Sequence, residues 1–282
     1  MKSLEKTDFE TLFRAFSSAF SDYAEVQVNE EQLKAMLKRR GYNAELSFGM
    51  FEGEELLSFT LNGTGSFNGA DTVYDTGTGT VIEHRRKKMA SKVFEHSIPY
   101  LKKAGYKQYL LEVMQHNEKA LPIYKNAGFE MTRELNFYVQ KKEEIINDYD
   151  KENLQHNVRE IDLSSLRDVS RFWDFHPSWQ NSFESIERIG GVFTCLGAFA
   201  GDKLVGYCIL FTVSGDIAQI AIDREFRRRG IGSLLLDKIL GLNKNASIKI
   251  INTDASCESM NGFLKAKNIN LTGSQFEMIL DL

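Results

Sequence analysis

Ala221-Ile222-Asp223-Arg224-Glu225-Phe226-Arg227-Arg228-Arg229-Gly230-Ile231-Gly232-Ser233-Leu234-Leu235-Leu236 takes the chain from an apolar strand into a charged turn and then into a helix. The spacing of apolar residues predicts that helix from Arg227 to Leu240, opening on three arginines and two glycines. The first amides of a helix have no internal partner and point along the dipole, so they suit an anion. Glycine brings the backbone close to a phosphate, and arginine adds charge and forked donors. Arg227, Arg228, Arg229, Gly230, Ile231 and Gly232, with Ile222 at the preceding strand end, form a candidate pyrophosphate cradle. It lacks the lysine-serine pair of a P-loop and the order of a GxGxxG fingerprint. Taken alone, the run is equally an amphipathic helix with solvated arginines.

Working outward, the same order of elements occurs twice. The first half reads helix (Phe9 to Phe20), helix (Glu30 to Arg40), strands (Leu46 to Phe51, Leu56 to Leu61, Thr72 to Ile82), helix (Arg85 to Ala104), strand (Gln108 to Val113), helix (Asn117 to Asn126) and strand (Glu130 to Val139). The second half has a strand at Val158 to Ile161, helical stretches at Leu163 to Phe172 and Ser182 to Ile189, and strands at Val192 to Phe199, Leu204 to Val213 and Ile217 to Ile222. The helix from Arg227, a strand at Ile248 to Ile251, a helix at Cys257 to Lys267 and a strand at Thr272 to Leu280 follow. Arg85 and Arg227 open equivalent helices 142 residues apart, and Phe129 and Ile269 lie 140 apart, offsets that point to internal duplication. Between the halves, KKEEIINDYDKENLQHN is dense in charge and amide and lacks an apolar period. The expected division is therefore domain 1–142, linker 143–157 and domain 158–282.

Composition agrees with two packed domains. The chain has 282 residues, 42% apolar and 26% charged, too long for one core to be the default. A net charge of −4 offers no general attraction to nucleic acid or anionic membrane. The charged start MKSLEKTDFETLF is unlike a signal peptide, and no apolar run approaches a membrane span. Cys195, Cys208 and Cys257 show no CxxC spacing and read as reduced thiols of a cytoplasmic protein. His84, His96, His116, His156 and His176 show no metal spacing, so no metal is expected.

The run RRRGIG after a strand and before LLL resembles motif A of the Gcn5-related N-acetyltransferases, Q/R-x-x-G-x-G/A. In the first half, Asn117-Glu118-Lys119-Ala120-Leu121-Pro122-Ile123-Tyr124-Lys125-Asn126-Ala127-Gly128-Phe129 is similar to that family's motif B, N-x-x-A-x-x-x-Y-x-x-x-G-F. The resemblance implies an α+β fold of two tandem domains, each a mixed, mostly antiparallel splayed sheet flanked by helices. It further implies acetyl-CoA or coenzyme A as co-substrate, and an amine on a small molecule or a protein as acceptor. Tyr124 matches the tyrosine that gives a proton to the departing sulfur, and Asn117 the asparagine that contacts the pantetheine or fixes its helix. Tyr124 can also be read as an aromatic that packs its short helix.

The halves depart from the pattern in opposite places. The first-half cradle, following Val81, is Arg85-Arg86-Lys87-Lys88-Met89-Ala90, with Lys88 at the family's glycine; a lysine in a right-handed first turn keeps the charge and the helix. In the second half Leu264 stands at the position of Tyr124, Cys257 at that of Asn117, and Asn268-Ile269 replaces Gly-Phe. The first half is thus the better candidate for catalysis and the second for coenzyme binding. Asp75 and Glu112 are candidate bases for the amine, with Asp216 and Asp254 as rough second-half counterparts; each is also readable as a solvated strand end, and water can relay the proton. Trp173 and Trp179 either line an acceptor pocket or pack their loop. Arg85 to Lys88 lacks the interleaved aromatics of a nucleic-acid surface. A binding or scaffolding protein that holds acyl-CoA without turning it over is the competing function.

Overall fold

The computed structural model describes residues 1–23, 27–150, 156–166 and 168–282. Residues 151–155 of the expected linker lie outside the described residues. The chain forms two compact units: unit 1 is Met1–Thr132 with Phe183–Ile189 and Phe276–Leu282, and unit 2 is Arg133–Ser182 with Gly190–Gln275. Neither is a single stretch of sequence.

Unit 1 begins with β1 (Lys2–Ser3), α1 (Phe9–Ala19) and α2 (Glu30–Arg40). Asp8 caps α1 by accepting from Thr11 N, and α2 opens on a reciprocal Asn29/Gln32 capping box. Next come β2 (Phe48–Glu52), β3 (Glu55–Phe67), β4 (Ala70–Thr80), α3 (Met89–Lys103), β5 (Gln108–Met114) and α4 (Leu121–Asn126). The strand order is β1-β2-β3-β4-β5-β12, where β12 is Leu271–Asp281 and supplies Phe276 onward. One core joins Leu12, Phe16, Leu33 and Leu37 of the first two helices to Phe59 and Leu61. A second joins Leu101, Tyr109, Leu111 and Phe129 to Met278. Helix α5 (Phe183–Arg188) belongs to this unit too: Arg188 donates to Thr64 O at 2.9 Å.

Unit 2 takes β6 (Glu130–Lys141) from Arg133 onward, then β7 (Asn157–Ile161), β8 (Thr194–Ala200), β9 (Lys203–Phe211), β10 (Asp216–Ile222), α6 (Ile231–Leu242), β11 (Ser247–Asp254) and α7 (Glu258–Ala266). Its order is β6-β11-β10-β9-β8-β7. Each unit therefore draws its sixth strand from beyond its own repeat. The core packs Leu235, Leu236 and Ile239 of α6 and Leu264 of α7 on Leu196, Val205 and Ile248. The helix expected at Leu163 to Phe172 is two 3₁₀ turns, Leu163–Leu166 and Ser170–Phe172.

Each unit contains one parallel pairing of strands, its seam. In unit 1 the parallel pairing of β4 with β5 runs from Thr72/Gln108 to Tyr74/Leu110 and stops. In unit 2 the pairing of β10 with β11 is confined to Asp216/Lys249. Past these pairs the strands diverge, and just there β4 and β10 each carry a bulge. Leu61 pairs Gly77 and Asn62 pairs Asp75, leaving Thr76 as the extra residue; Leu210 pairs Ile217 and Ile209 pairs Gln219, leaving Ala218. Thr76 and Ala218 are 142 residues apart, the offset of Arg85 and Arg227. Among the described residues no helix is long and apolar enough to cross a membrane.

Candidate active site

The loop before each long helix is the first correction to the sequence reading. The helices begin at Met89 and Ile231, not at Arg85 and Arg227, because the arginine runs contain left-handed residues that no α-helix accommodates. Arg86 has φ 65° and Lys88 φ 55°; Arg228 has φ 60° and Gly230 φ 78°. The two loops share one backbone path. Lys88, expected in a right-handed first turn, instead adopts the left-handed conformation that Gly230 adopts freely.

The leading arginines are occupied. Both terminal nitrogens of Arg85 donate to the Asp22 carboxylate at 2.7 Å, and one also reaches Ala19 O at 2.8 Å. This guanidinium holds the Asp22 carboxyl down at about 2. Arg227 donates to Asp174 Oδ1 at 2.9 Å, Phe172 O at 3.1 Å and Ile222 O at 3.1 Å. Ser259 donates to the other Asp174 oxygen at 2.6 Å, and these bonds outweigh burial to lower the Asp174 pKa. Arg85 and Arg227 thus brace their loops. Arg229 lies over the Phe226 ring and donates to Glu225 O, while Arg86, Lys87, Lys88 and Arg228 are exposed.

In unit 2 a cavity of about 600 Å³ follows the diverging strands. Ile222, Arg227, Arg228, Gly230, Ile231 and Gly232 line it, as the sequence suggested; Arg229 does not. The first intrahelical bond of α6 is Leu234 N to Gly230 O, so the amides of Ile231, Gly232 and Ser233 face the cradle without intrahelical partners. The walls include Phe172, Trp173, Ile217, Ala218, Ile220 and Phe263, and Lys267 at the α7 C-terminus also lines the cavity. Trp173 is therefore a cavity residue, whereas Trp179 is 1% exposed and packs its loop. In unit 1, Met89 and Ala90 open α3 in the same way, with Lys92 N bonding Lys88 O, and Val81 is buried where β4 ends.

Unit 1 carries acid-base groups that unit 2 lacks. At the β4 bulge Asp75 Oδ1 accepts from Gly77 N at 2.9 Å and Thr78 Oγ1 at 3.1 Å. Burial raises the Asp75 carboxyl to about 6 against these bonds, the Arg40 charge and a hydrogen bond from Tyr124. Burial first, and the Asp75 charge second, hold the Tyr124 hydroxyl well above the usual phenol range. The ring also packs edge-on against Phe129 at 5.6 Å, so Tyr124 both packs its helix and aims its hydroxyl at the bulge. Asn117 Oδ1 accepts from Ala120 N at 3.1 Å and so fixes the turn that leads into α4. Glu112 lies on β5, where Tyr74 donates to it at 3.1 Å.

The counterparts follow from backbone bonds. Phe129 N bonds Tyr124 O and Ile269 N bonds Leu264 O at the same helix ends, so Leu264 occupies the tyrosine position. Gly128 and Asn268 are left-handed in both, asparagine being the residue that replaces glycine there at least cost. By bulge register the counterpart of Asp75 is Ile217, not Asp216, which pairs with Phe211 at the strand start. Sequence reasoning missed Arg40, whose guanidinium reaches Thr76 O at 2.9 Å, and Lys267. Neither belongs to a motif; only the fold brings them to the seam.

Comparison with known proteins agrees with this geometry. The model of the "Acetyltransferase (GNAT) family" matches residues 9–129 and 157–259. No curated protein matches the chain. Among solved structures, a GCN5-related N-acetyltransferase from Sphaerobacter thermophilus superposes with a TM-score of 0.73 at 13% identity, covering 99% of this chain and 94% of that one. A tandem GNAT protein from the clavulanic acid biosynthesis pathway gives 0.73 at 10% identity, covering 100% and 97%. A putative acetyltransferase from Pyrococcus horikoshii gives 0.69 at 14% identity, covering 100% and 88%. At these identities the likeness is one of fold.

Proposed function

The chain belongs to the acetyltransferase (GNAT) family, and from that premise we propose that it moves an acyl group, acetyl in the first instance, from coenzyme A to a primary amine by direct attack. In this reading unit 1 performs the chemistry and unit 2 holds an acyl-CoA without turning it over. The observation that carries it is the Asp75–Tyr124 pair at the β4 bulge, replaced at both positions by Ile217 and Leu264 in unit 2. The coenzyme suits the residues present: the α6 amides and Arg228 face its phosphates, and the apolar seam of unit 2 accepts its arm. In unit 1 the amides of Met89, Ala90 and Ser91, with Arg86 and Lys87 beside them, offer the same donors. The three unpaired thiols, all buried, support a cytoplasmic location.

Asp75, ionised at neutral pH with a pKa of about 6, takes one proton from the ammonium form of the acceptor. The neutral nitrogen attacks the thioester carbon as the carbon–sulfur bond breaks. Tyr124 gives its hydroxyl proton to the departing sulfur and recovers one from the nitrogen as the amide forms. Asp75 returns its proton to solvent, so one proton is released per turnover.

The test is thiol release from acetyl-CoA with a panel of amines. Turnover by the intact chain, lost in Tyr124→Phe with coenzyme binding kept, supports the proposal. Binding without turnover by any amine makes the protein a holder of acyl-CoA, and turnover that survives Tyr124→Phe but not Arg228→Glu/Gly230→Glu moves catalysis to unit 2.

A further inference from the structure

We infer that the unit 2 cavity is an acyl-chain chamber selecting coenzyme A thioesters whose acyl group is longer than acetyl, butyryl and upward. The inference rests on the reading that unit 2 binds coenzyme A, and extends it to the identity of the acyl group.

Its first support is the set of groups that line the cavity. Its donors are the α6 amides of Ile231, Gly232 and Ser233, together with Arg228 and Lys267. Lys267 is only 7% exposed, and its Nζ makes a long 3.4 Å bond to Asp148 O. Burial lowers its pKa, as expected for an ammonium short of compensation. The lining acids do not cancel these donors: both Asp174 oxygens are bonded to Arg227 and Ser259, and Glu258 is exposed at the start of α7. The lining also includes the apolar and aromatic Phe172, Trp173, Phe175, Pro177 and Ala218.

The second support is how the lining beside the bulge disposes of its polar groups. Trp173 Nε1 donates to the Tyr207 hydroxyl at 2.6 Å, Tyr207 donates to Gln219 Oε1 at 2.6 Å, and Gln219 Nε2 donates to Asn181 O at 2.6 Å. The relay consumes these groups among themselves and leaves hydrocarbon and aromatic faces to the cavity. Where unit 1 sets Asp75 and Tyr124 at the site of reaction, unit 2 sets Ile217 and Leu264. A chamber that joins cationic and amide donors to apolar and aromatic walls, with Ile217 and Leu264 where unit 1 has Asp75 and Tyr124, is built to hold an acyl chain, and gains affinity with each methylene it buries.

Calorimetry on the full-length protein with coenzyme A and its acetyl, butyryl, hexanoyl and octanoyl thioesters tests this. The expected result is an affinity that rises up to about fourfold per added methylene until the chamber is full. Arg228→Glu/Gly230→Glu removes the trend, and so does Ala218→Phe, which fills the seam; Ala218→Leu, a smaller filling, shortens the chain at which affinity peaks and serves if the phenylalanine variant does not fold. Equal affinity for acetyl and hexanoyl thioesters, with coenzyme A bound normally, overturns the chamber and leaves the coenzyme site standing. A trend that survives Arg228→Glu/Gly230→Glu places it in unit 1 and overturns the inference equally. If coenzyme A does not bind at all, the functional reading fails and the chamber with it.

Discussion

Unit 1 and unit 2 share a backbone at every point that defines the seam and differ in nearly every side chain that does chemistry there. The bulges at Thr76 and Ala218, the left-handed pairs Arg86/Lys88 and Arg228/Gly230, and the left-handed helix ends at Gly128 and Asn268 superimpose in register. At the same places Asp75 faces Ile217 in the alignment of the repeats, and Tyr124 faces Leu264. The lesson is that the strand bulge and the helix-opening loop are properties of packing, kept by both units, whereas the proton-handling groups are separable from them. Unit 1 keeps the groups and strains the loop; unit 2 keeps the relaxed loop and lacks the groups.

The largest expected effect comes from breaking the sharing of strands. A chain ending at residue 275 loses Phe276–Leu282, and with it Met278 of the core formed by Tyr109, Leu111 and Phe129. Removing the part of β12 that unit 1 uses leaves a row of unpaired amides and an open core, so unit 1 is expected to lose cooperative unfolding in calorimetry. A stably folded unit 1 in the truncated protein would mean the exchange is ornamental. Arg228→Glu/Gly230→Glu comes next: two carboxylates at the α6 amides should weaken coenzyme A binding to unit 2 by at least about 100-fold, close to 3 kcal/mol, read by calorimetry. Tyr124→Phe keeps the ring against Phe129 and deletes the hydroxyl, so acyl transfer should fall at least about tenfold, 1.4 kcal/mol of barrier, with coenzyme binding intact.

Much of this was legible in the sequence, and the limits are instructive. The order of strands and helices follows from apolar periodicity, which each segment carries locally, and the duplication shows in the constant offset between Arg85 and Arg227. The exchange of sixth strands was not legible, because β6 and β12 have the same pattern whichever sheet receives them. The bracing of Arg227 was not legible for a physical reason: its partner Asp174 lies 53 residues away in the sequence, and only the fold brings the two together. Asp216 stood as the rough counterpart of Asp75 because it is the neighbouring carboxylate; the offset of 142 residues, which both bulges keep, leads to Ile217 instead.

The Asp75 assignment makes a pH prediction with two independent readouts. With its folded pKa raised to about 6 from 3.8, kcat/KM should fall on the acid side with an apparent pKa near 6, and the fall should be absent in Asp75→Asn, whose residual activity is lower. For stability the sign is opposite to that of an ion-paired acid. The raised pKa favours the fold below about 3.8, and the benefit is lost as pH rises through about 6. Asp75→Asn should therefore melt higher than the parent at pH 8, with the difference shrinking on acidification; a constant difference across that range would show that Asp75 does not titrate in the fold.

The smallest effect sharpens the comparison most directly. Lys88 caps α3 at φ 55°, ψ 27°, where Gly230 caps α6 at φ 78°, ψ −5°. A side chain with a Cβ in the left-handed region costs roughly 1–2 kcal/mol, and glycine gives back roughly 0.5–1 kcal/mol of that through the freedom it has in the unfolded chain. Lys88→Gly should thus stabilise unit 1 by about 0.5–1 kcal/mol, a rise of a few degrees in Tm read by calorimetry. Gly230→Lys should destabilise unit 2 by a similar amount. If the strain persists in unit 1 because the lysine ammonium is needed at the phosphates, Lys88→Gly will weaken coenzyme binding there even as it raises Tm, and stability and affinity will move in opposite directions. If the substitution instead lowers Tm, the left-handed turn at Lys88 is not strained, and the two loops are alike in energy as well as in path.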